Sequence, residues 1–358
     1  MRLRYVVLGA AAMAVLLAVA AWIWRAPLSV ALAQRGAAVR MAADPAAELG
    51  DGLHVGLCGA GSPFPDEQRS GPCTLVLAGQ RLFVFDAGSG AARHIGRMGF
   101  SLGRVEAVFL THFHSDHIDG LGELMLQRWV SESNAAPLPV HGPAGVEAVV
   151  AGFMQAYAQD RRYRVAHHGA AIVPDTGFGG TALPFAIAPP QRVVLVNDAD
   201  LEIAAFAVDH APVHPAVGYR IRYKGRSVVL SGDTRKSAAV QREAAGVDLL
   251  VHEALSPRLV AALQQGAAAA GRPKLQQILA DIVDYHSTPE QAAEIARDAR
   301  VGMLLLNHIA PPLPLPGMQA AFLGRAGQIY DGPLRVGVDG DFVSLPTGST
   351  RIEHSRRD

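Results

Sequence analysis

The chain has 358 residues, which is enough to bury a core without disulfides or structural metals. Its 32 lysines and arginines are balanced by 32 aspartates and glutamates, so the formal net charge is zero. A balanced charge gives no global attraction for a polyanion, and this argues against nucleic acid as the partner.

The first feature along the chain is an uncharged apolar run from Tyr5 to Trp24, with arginines on both sides. The run is long enough to span a bilayer. It is either an uncleaved anchor or a secretory signal cleaved after Ala31-Leu32-Ala33, and its length favours the anchor. We therefore expect residues 1–25 to be a signal anchor or signal peptide. The protein would be anchored in the inner membrane and face the periplasm, or be secreted.

Three further segments follow in chain order. Residues 26–50 are rich in alanine and lack a strong period, which predicts a linker. Residues 51–348 alternate short apolar runs of β type with helical patterns such as 118–131 and 289–299. This alternation predicts one layered α/β domain. Residues 349–358 are expected to form a polar tail.

The two cysteines, Cys58 and Cys73, each lie near the start of an apolar run. Two interpretations stay open: a disulfide between adjoining strands, formed in an oxidising compartment, or a pair of buried free thiols. Neither cysteine has metal-ligand spacing, so both are excluded from the candidate metal site.

The segment Thr111 to Gly120, THFHSDHIDG, concentrates ligand chemistry between an apolar strand and a helical pattern. His112 and His114 are two residues apart, so in an extended chain they point the same way and suit one ion. The turn into the helix would direct Asp116 and His117 towards a second ion. Imidazole and carboxylate at this density are the donors that Zn²⁺ prefers.

Three more candidate ligands stand where later apolar runs end. His210 follows AAFAVD, Asp233 follows SVVLSG, and His308 follows MLLLN. Because strand ends in a layered sheet meet at a common edge, we expect these side chains to join the first cluster.

The motifs THFHSDH, Gly232-Asp-Thr234 and Asn307-His308 together resemble the metallo-β-lactamase superfamily, from about Asp51 to Pro346. More narrowly, the segments FDAGSGAARH, VDHAPVHPAVGYR, SGDTR, VHEA and DYHSTPEQAAEIA are similar to its ribonuclease Z and arylsulfatase-like branch. The resemblance implies a metallo-β-lactamase fold, an α/β four-layer αβ/βα sandwich, for residues 51–348.

The resemblance also implies a site that holds two Zn²⁺ ions, with Mn²⁺ or Fe²⁺ as alternatives. The implied ligands are His112, His114 and His210 for the first metal, Asp116, His117 and His308 for the second, and Asp233 as a bridge between both. His210 is preferred to His214 because it is the histidine that follows Val-Asp.

Asp116 and His286 are the implied catalytic residues. The resemblance gives His286 the role of proton donor or oxyanion contact, while a histidine that only caps a helix is the alternative. Glu253 is a candidate to orient His286.

The implied reaction is hydrolysis of a small ester, such as a phosphodiester or an aryl sulfate, by a hydroxide that bridges the two metals. A ribonuclease Z-like tRNA 3′-end endonuclease is the alternative. It is disfavoured because Gly218-Tyr219 runs through a tight hairpin with no inserted tRNA-binding arm.

A lactonase is a further enzymatic alternative, and a metal-binding or redox scaffold is the non-enzymatic one. The expected partners are a small-molecule ester, a membrane if the N-terminal helix stays uncleaved, and a second copy of the chain as a homodimer.

Overall fold

A computed structural model describes residues 2–198 and 200–357. The chain divides into two units, the first ending at Pro45 and the second beginning at Ala46. The first unit is helix α1 (Arg2–Ala42), whose described side chains are exposed. By length and composition this helix can cross a membrane, a criterion that a signal sequence also meets.

Helix α1 extends well beyond the apolar run and passes through most of the segment expected to be a linker. Alanine, leucine and arginine are strong helix formers, so this segment is helical although its sequence has no clear amphipathic period.

The second unit contains the strands and the remaining helices. The strands are β1 (Gly52–Gly59), β2 (Cys73–Ala78), β3 (Arg81–Phe85), β4 (Val105–Phe109), β5 (Leu138–Pro143), β6 (Gly180–Phe185), β7 (Arg192–Asn197), β8 (Leu201–Ala207), β9 (Val217–Tyr223), β10 (Arg226–Leu230), β11 (Leu249–Leu255), β12 (Met303–Ala310), β13 (Leu334–Val336), β14 (Asp341–Pro346) and β15 (Glu353–Arg356). The helices are α2 (Pro45–Glu48), α3 (Ala91–Arg97), α4 (Ser115–Ile118), α5 (Leu121–Ser131), α6 (Val146–Ala156), α7 (Ala158–His168), α8 (Ala238–Glu243), α9 (Pro257–Ala269), α10 (Pro273–Asp281), α11 (Pro289–Ala299), α12 (Met318–Leu323) and α13 (Ala326–Ile329), with short 3-10 turns at Leu102–Arg104 and Asp175–Gly177.

Within the described residues these strands form two sheets. The first has the order β15-β14-β1-β2-β3-β4-β5-β6, and the second has the order β13-β12-β11-β10-β9-β8-β7. Apolar side chains from both sheets, such as Phe109 and Leu305, pack into a core between them. Helices α3, α5 and α6 cover the outer face of the first sheet, and α8, α11, α12 and α13 cover that of the second. This arrangement confirms the expected four-layer αβ/βα sandwich.

The parallel part of each sheet positions the site. Strands β3, β4 and β5 run parallel in the first sheet, and β10, β11 and β12 run parallel in the second. Parallel strands present their carboxyl ends at one edge, where ligands bind in open α/β sheets. The strands are largely apolar on both faces because both faces are covered, and the polar residues of the site stand at or near the carboxyl ends of strands.

Three local features complete the second unit. Cys58 and Cys73 form a disulfide between β1 and β2, which resolves the two open interpretations of these residues. Lys224 and Gly225, both with positive φ, make the two-residue turn between β9 and β10. The segment expected as a polar tail forms β15, which pairs with β14.

Candidate metal centre

The loop after β4 brings the first four candidates together. The Nε2 atom of His112 lies 3.0 Å from Nδ1 of His114, and the ring centroids of His112 and His117 are 4.1 Å apart. Asp116 and His117 lie in α4, whose tight turn directs them back towards the two preceding histidines. The extended chain at His112 and His114 and the turn at Asp116 and His117 therefore bring all four side chains together.

Asp233, after β10, lies at the centre of the cluster. Its Oδ2 atom is 3.3 Å from Nε2 of both His117 and His308, and 3.9 Å from Nε2 of both His112 and His210. The same oxygen is thus close to histidines from both sheets. All seven candidate ligands meet at one edge of the sandwich, although the sequence spreads them over half the chain.

The donor atoms of the seven predicted ligands fall into two adjacent groups, each within 4.8 Å. One group is His112, His114, His210 and Asp233, and the other is Asp116, His117 and His308. A third group of the same size joins Asp233 and His308 to His286. The buried Nε2 atoms of His117 and His210 have no hydrogen-bond partner among the described residues. Buried, unpartnered imidazole nitrogens beside carboxylates fit divalent metal ions of the zinc type.

Residues around the cluster fix the orientation of the candidate ligands. Asp86, which follows β3, accepts a hydrogen bond from Nδ1 of His117 at 2.9 Å and from the backbone N–H of Thr111 at 2.8 Å. The Nδ1 atom of His210 donates to the carbonyl of Tyr285 at 3.0 Å. The two bonds from Nδ1 leave the Nε2 atoms of His117 and His210 facing the cluster. Metal-binding histidines are usually held in this way.

Burial and nearby charges set the protonation of the cluster. Burial lowers the pKa of His117, but the carboxylates of Asp233 and Asp86 outweigh it and hold that pKa well above its usual value. Burial and the charge of His117 lower the pKa of His112 well below its usual value. Burial raises the pKa of Asp233, but His308 and His117 outweigh it, so this carboxyl is ionised. The cluster is thus negatively charged at the oxygens that a cation would contact.

His286 lies beside the cluster and is paired with Glu253. Its Nδ1 atom is 3.3 Å from Oε1 of Glu253, a buried carboxylate in β11. Burial lowers the pKa of His286, but the charge and hydrogen bond of Glu253 outweigh it and raise that pKa. Glu253 therefore favours the protonated form of His286 beside the cluster. Thr288 makes the helix cap that the alternative interpretation gave to His286.

The structure distinguishes His210 from His214, the two candidates for the third ligand of the first metal. His210 joins the cluster, whereas His214 lines an apolar cavity of about 430 Å³ with Phe185 and Pro215. Asp86 and Tyr285 also belong to the site, although neither is among the candidates from the sequence. Asp86 follows the apolar strand β3 just as Asp233 follows β10, so the same pattern would have found it. Nothing in the ligand chemistry of the sequence pointed to Tyr285.

Comparison with known proteins identifies the family. A family model described as "Beta-lactamase superfamily domain" matches residues 81–309. The chain is 37% identical over 304 residues to ribonuclease Z of Mycolicibacterium gilvum (strain PYR-GCK), a match that covers 83% of this chain and 97% of that protein.

Two solved structures share the fold. The metallo-β-lactamase fold protein YhfI from Bacillus subtilis has a TM-score of 0.57 at 19% identity, covering 82% of this chain and 100% of that chain. The short form of human tRNase Z has a TM-score of 0.58 at 20% identity, covering 82% of this chain and 99% of that chain.

These relatives change the expectation about the substrate. The inference that nucleic acid is not a partner is wrong, because the similar proteins are named ribonuclease Z. A net charge of zero averages over the whole chain and says little about the charge around one site. The expectation of a small ester and the likeness to arylsulfatases find no support among these relatives.

The family match covers more than half of the chain, and the ribonuclease Z relatives are matched over nearly their full length. The cluster supplies the donors that divalent metals need. The chain therefore belongs to the metallo-β-lactamase superfamily, in the branch whose relatives are named ribonuclease Z, and it is a metal-dependent hydrolase of ester bonds.

Proposed function

We propose that this protein is a phosphodiesterase of the ribonuclease Z type that cleaves RNA. The observation that supports it most is the pair of adjacent donor groups around Asp233, with the ion-pair partners His286 and Glu253 beside them. The names of the similar proteins favour RNA over other esters. Precursor tRNA with a 3′ trailer is the first substrate to test.

Two zinc ions are the metals that we propose for the site. His112, His114 and His210 would hold one, Asp116, His117 and His308 would hold the other, and Asp233 would contact both. Bound divalent metals lower the pKa of a coordinated water and polarise a phosphoryl oxygen. Asp86 and the carbonyl of Tyr285 orient His117 and His210 for this purpose.

His286 is the proposed proton donor to the leaving oxygen. Glu253 raises the pKa of this imidazole and so favours its protonated form. It also fixes the direction of the imidazole, because Oε1 of Glu253 accepts a hydrogen bond from the backbone N–H of Ser287 at 2.8 Å. A protonated imidazole also stabilises negative charge as it develops on the phosphoryl group. Asp116, beside His308 at 3.2 Å, would contribute as a ligand and through its charge.

The test uses the full chain in detergent, with metal content measured on the same sample. Precursor tRNA, an unstructured RNA and bis(p-nitrophenyl) phosphate are compared as substrates. Cleavage of RNA that is lost on chelation and restored by zinc supports the proposal. Turnover of bis(p-nitrophenyl) phosphate without cleavage of either RNA would overturn it.

We also propose that the second unit works in an oxidising compartment, attached to the inner membrane and facing the periplasm, or secreted. Helix α1 and the disulfide between Cys58 and Cys73 support this placement, since structural disulfides persist outside the reducing cytosol. Thiol trapping in acid-quenched cells measures the redox state of the cysteines. A protein whose cysteines are fully alkylated in growing cells would argue against export.

A further inference from the structure

Tyr285 lies in a segment that is held in place on both sides. Arg235 donates a hydrogen bond to the carbonyl of Asp284, and the hydroxyl of Ser287 donates to the carbonyl of Thr234 at 2.7 Å. The carbonyl of Tyr285 itself accepts from His210. The backbone that carries Tyr285 is thus tied to the loop after β10 and to His210 of the cluster.

The ring of Tyr285 contacts three histidines of the site. Its centroid is 4.8 Å from that of His210, 4.6 Å from that of His286 and 6.4 Å from that of His114. The corresponding interplanar angles are 76°, 42° and 51°, so none of these rings lies parallel to it. Among the described residues, no aromatic side chain stacks face to face on Tyr285.

The side chain of Tyr285 is only partly buried, and its hydroxyl has no hydrogen-bond partner in the described part of the chain. A tyrosine that serves packing alone usually buries its ring and pairs its hydroxyl, as Tyr219 does with the carbonyl of Leu110. Tyr285 instead stays partly exposed beside the residues that would act on a phosphodiester.

We infer that Tyr285 is a substrate-binding residue whose ring stacks on the nucleobase next to the phosphate that is cleaved. This inference rests on the proposed action on RNA. Unpaired bases are commonly bound by stacking on aromatic side chains, because every base offers a flat π-face. A base held on Tyr285 places the adjoining phosphate at the histidine cluster, which the ring contacts directly.

The role of the ring can be separated from that of the backbone. The carbonyl of Tyr285, which orients His210, is retained in any substitution of the side chain. Tyr285→Phe keeps an aromatic face, whereas Tyr285→Leu keeps apolar volume without one. A stacking role therefore predicts that the phenylalanine variant is active and the leucine variant is impaired.

The experiment measures kcat and KM of wild type and both variants on precursor tRNA and on two versions with an abasic nucleotide on either side of the cleaved bond. We expect Tyr285→Leu to raise KM for intact RNA on the order of 10-fold, with Tyr285→Phe close to wild type. Metal content should not change. On one of the two abasic RNAs, we expect the KM of wild type to rise by the same factor. The KM of Tyr285→Leu should not rise further on that RNA.

Three results would overturn the inference. The first is a KM of Tyr285→Leu that equals that of wild type. The second is a KM of Tyr285→Leu that exceeds that of wild type by the same factor on all three RNAs, which indicates a structural role. The third is a wild-type protein that neither binds nor cleaves RNA, in which case the proposed function fails as well. Cleavage of RNA by wild type with either of the first two results leaves the proposed function intact.

Discussion

Oε1 of Glu253 lies 3.3 Å from Nδ1 of His286 and joins β11 of the second sheet to the segment before α11. The same oxygen accepts from the backbone N–H groups of Ser287 and Thr234. The carboxylate therefore has a fixed position, and through it the imidazole has a fixed direction. This pair leads to the first prediction.

Replacing His286 should remove the proton donor without removing metal. We expect His286→Ala to lower kcat roughly 100- to 10,000-fold, with little change in KM, because general acid catalysis contributes about that factor. Glu253→Gln should lower kcat less, because the imidazole remains present but its charge is less favoured. Steady-state kinetics with metal analysis measures both, and loss of metal from His286→Ala would contradict the assigned role.

Removing one central histidine should remove metal and activity together. His112→Ala deletes a buried donor from the group around Asp233, so we expect metal content and hydrolysis to fall in proportion. His167→Ala, which changes an exposed histidine of α7, is the matched control. Normal turnover by His112→Ala would show that the ligand assignment is wrong.

Asp86 should contribute to metal affinity although it belongs to neither donor group. Its carboxylate accepts from His117 and Thr111, so Asp86→Asn weakens the bond that orients His117. We expect metal affinity to fall about 10- to 100-fold, the usual effect of losing such a partner. Competition with a zinc chelator measures the affinity, and an unchanged dissociation constant would count against this role.

Metal should stabilise the fold more strongly as pH rises. In metal-stripped protein, burial lowers the pKa of His117, but Asp233 and Asp86 raise it well above its unfolded value. The bound proton therefore stabilises the fold at low pH, and this contribution is lost as pH rises through the raised pKa. Metal must displace the same proton, so its binding strengthens with pH.

The measurement for this fourth prediction is the melting temperature with and without zinc, from about pH 5 to about pH 8. The difference between the two curves should widen as pH rises. His354→Gln, which changes a histidine paired with Asp341 outside the cluster, should give the same trend as wild type. A difference that narrows with rising pH would contradict the prediction.

The disulfide should stabilise the second unit. Cys58 and Cys73 are 15 residues apart, and closing a loop of that length contributes about 3 kcal/mol in the chain-entropy account. We expect the free energy of unfolding of Cys58→Ala/Cys73→Ala to be lower by about that amount. Urea denaturation measures it, and reduced wild type is the control. Reduced wild type should be close to the variant, and equal stability of the variant and oxidised wild type would refute the expectation.

The sequence predicted the site well where the ligand chemistry is local. The HxHxDH spacing after β4 indicated four candidates, and the rule that polar residues follow buried strands indicated Asp233, His210 and His308. The same rule applied to Asp86 but was not used there. Their assignment as ligands stays a prediction, which the His112→Ala variant tests.

Other features could not be derived from local patterns. The polar strand β15 has no apolar alternation, because it lies at the edge of its sheet and its side chains are largely exposed. Helix α1 continues through an alanine-rich segment that lacks an amphipathic period. Net charge led to the wrong expectation that nucleic acid is not a partner, because it averages over the whole chain. The position of Tyr285 against three histidines depends on the fold and has no local signal in the sequence.

The meeting of both sheets at the cluster also has a consequence for cooperativity. His112 and His117 follow a strand of one sheet, whereas Asp233 follows β10 and His308 lies in β12 of the other sheet. Ions held by all four would therefore couple the local unfolding of the two halves. Hydrogen exchange at the ends of β4 and β12 should then slow together when metal is added. The metal ions would then stabilise the packing of the two halves as well as take part in catalysis.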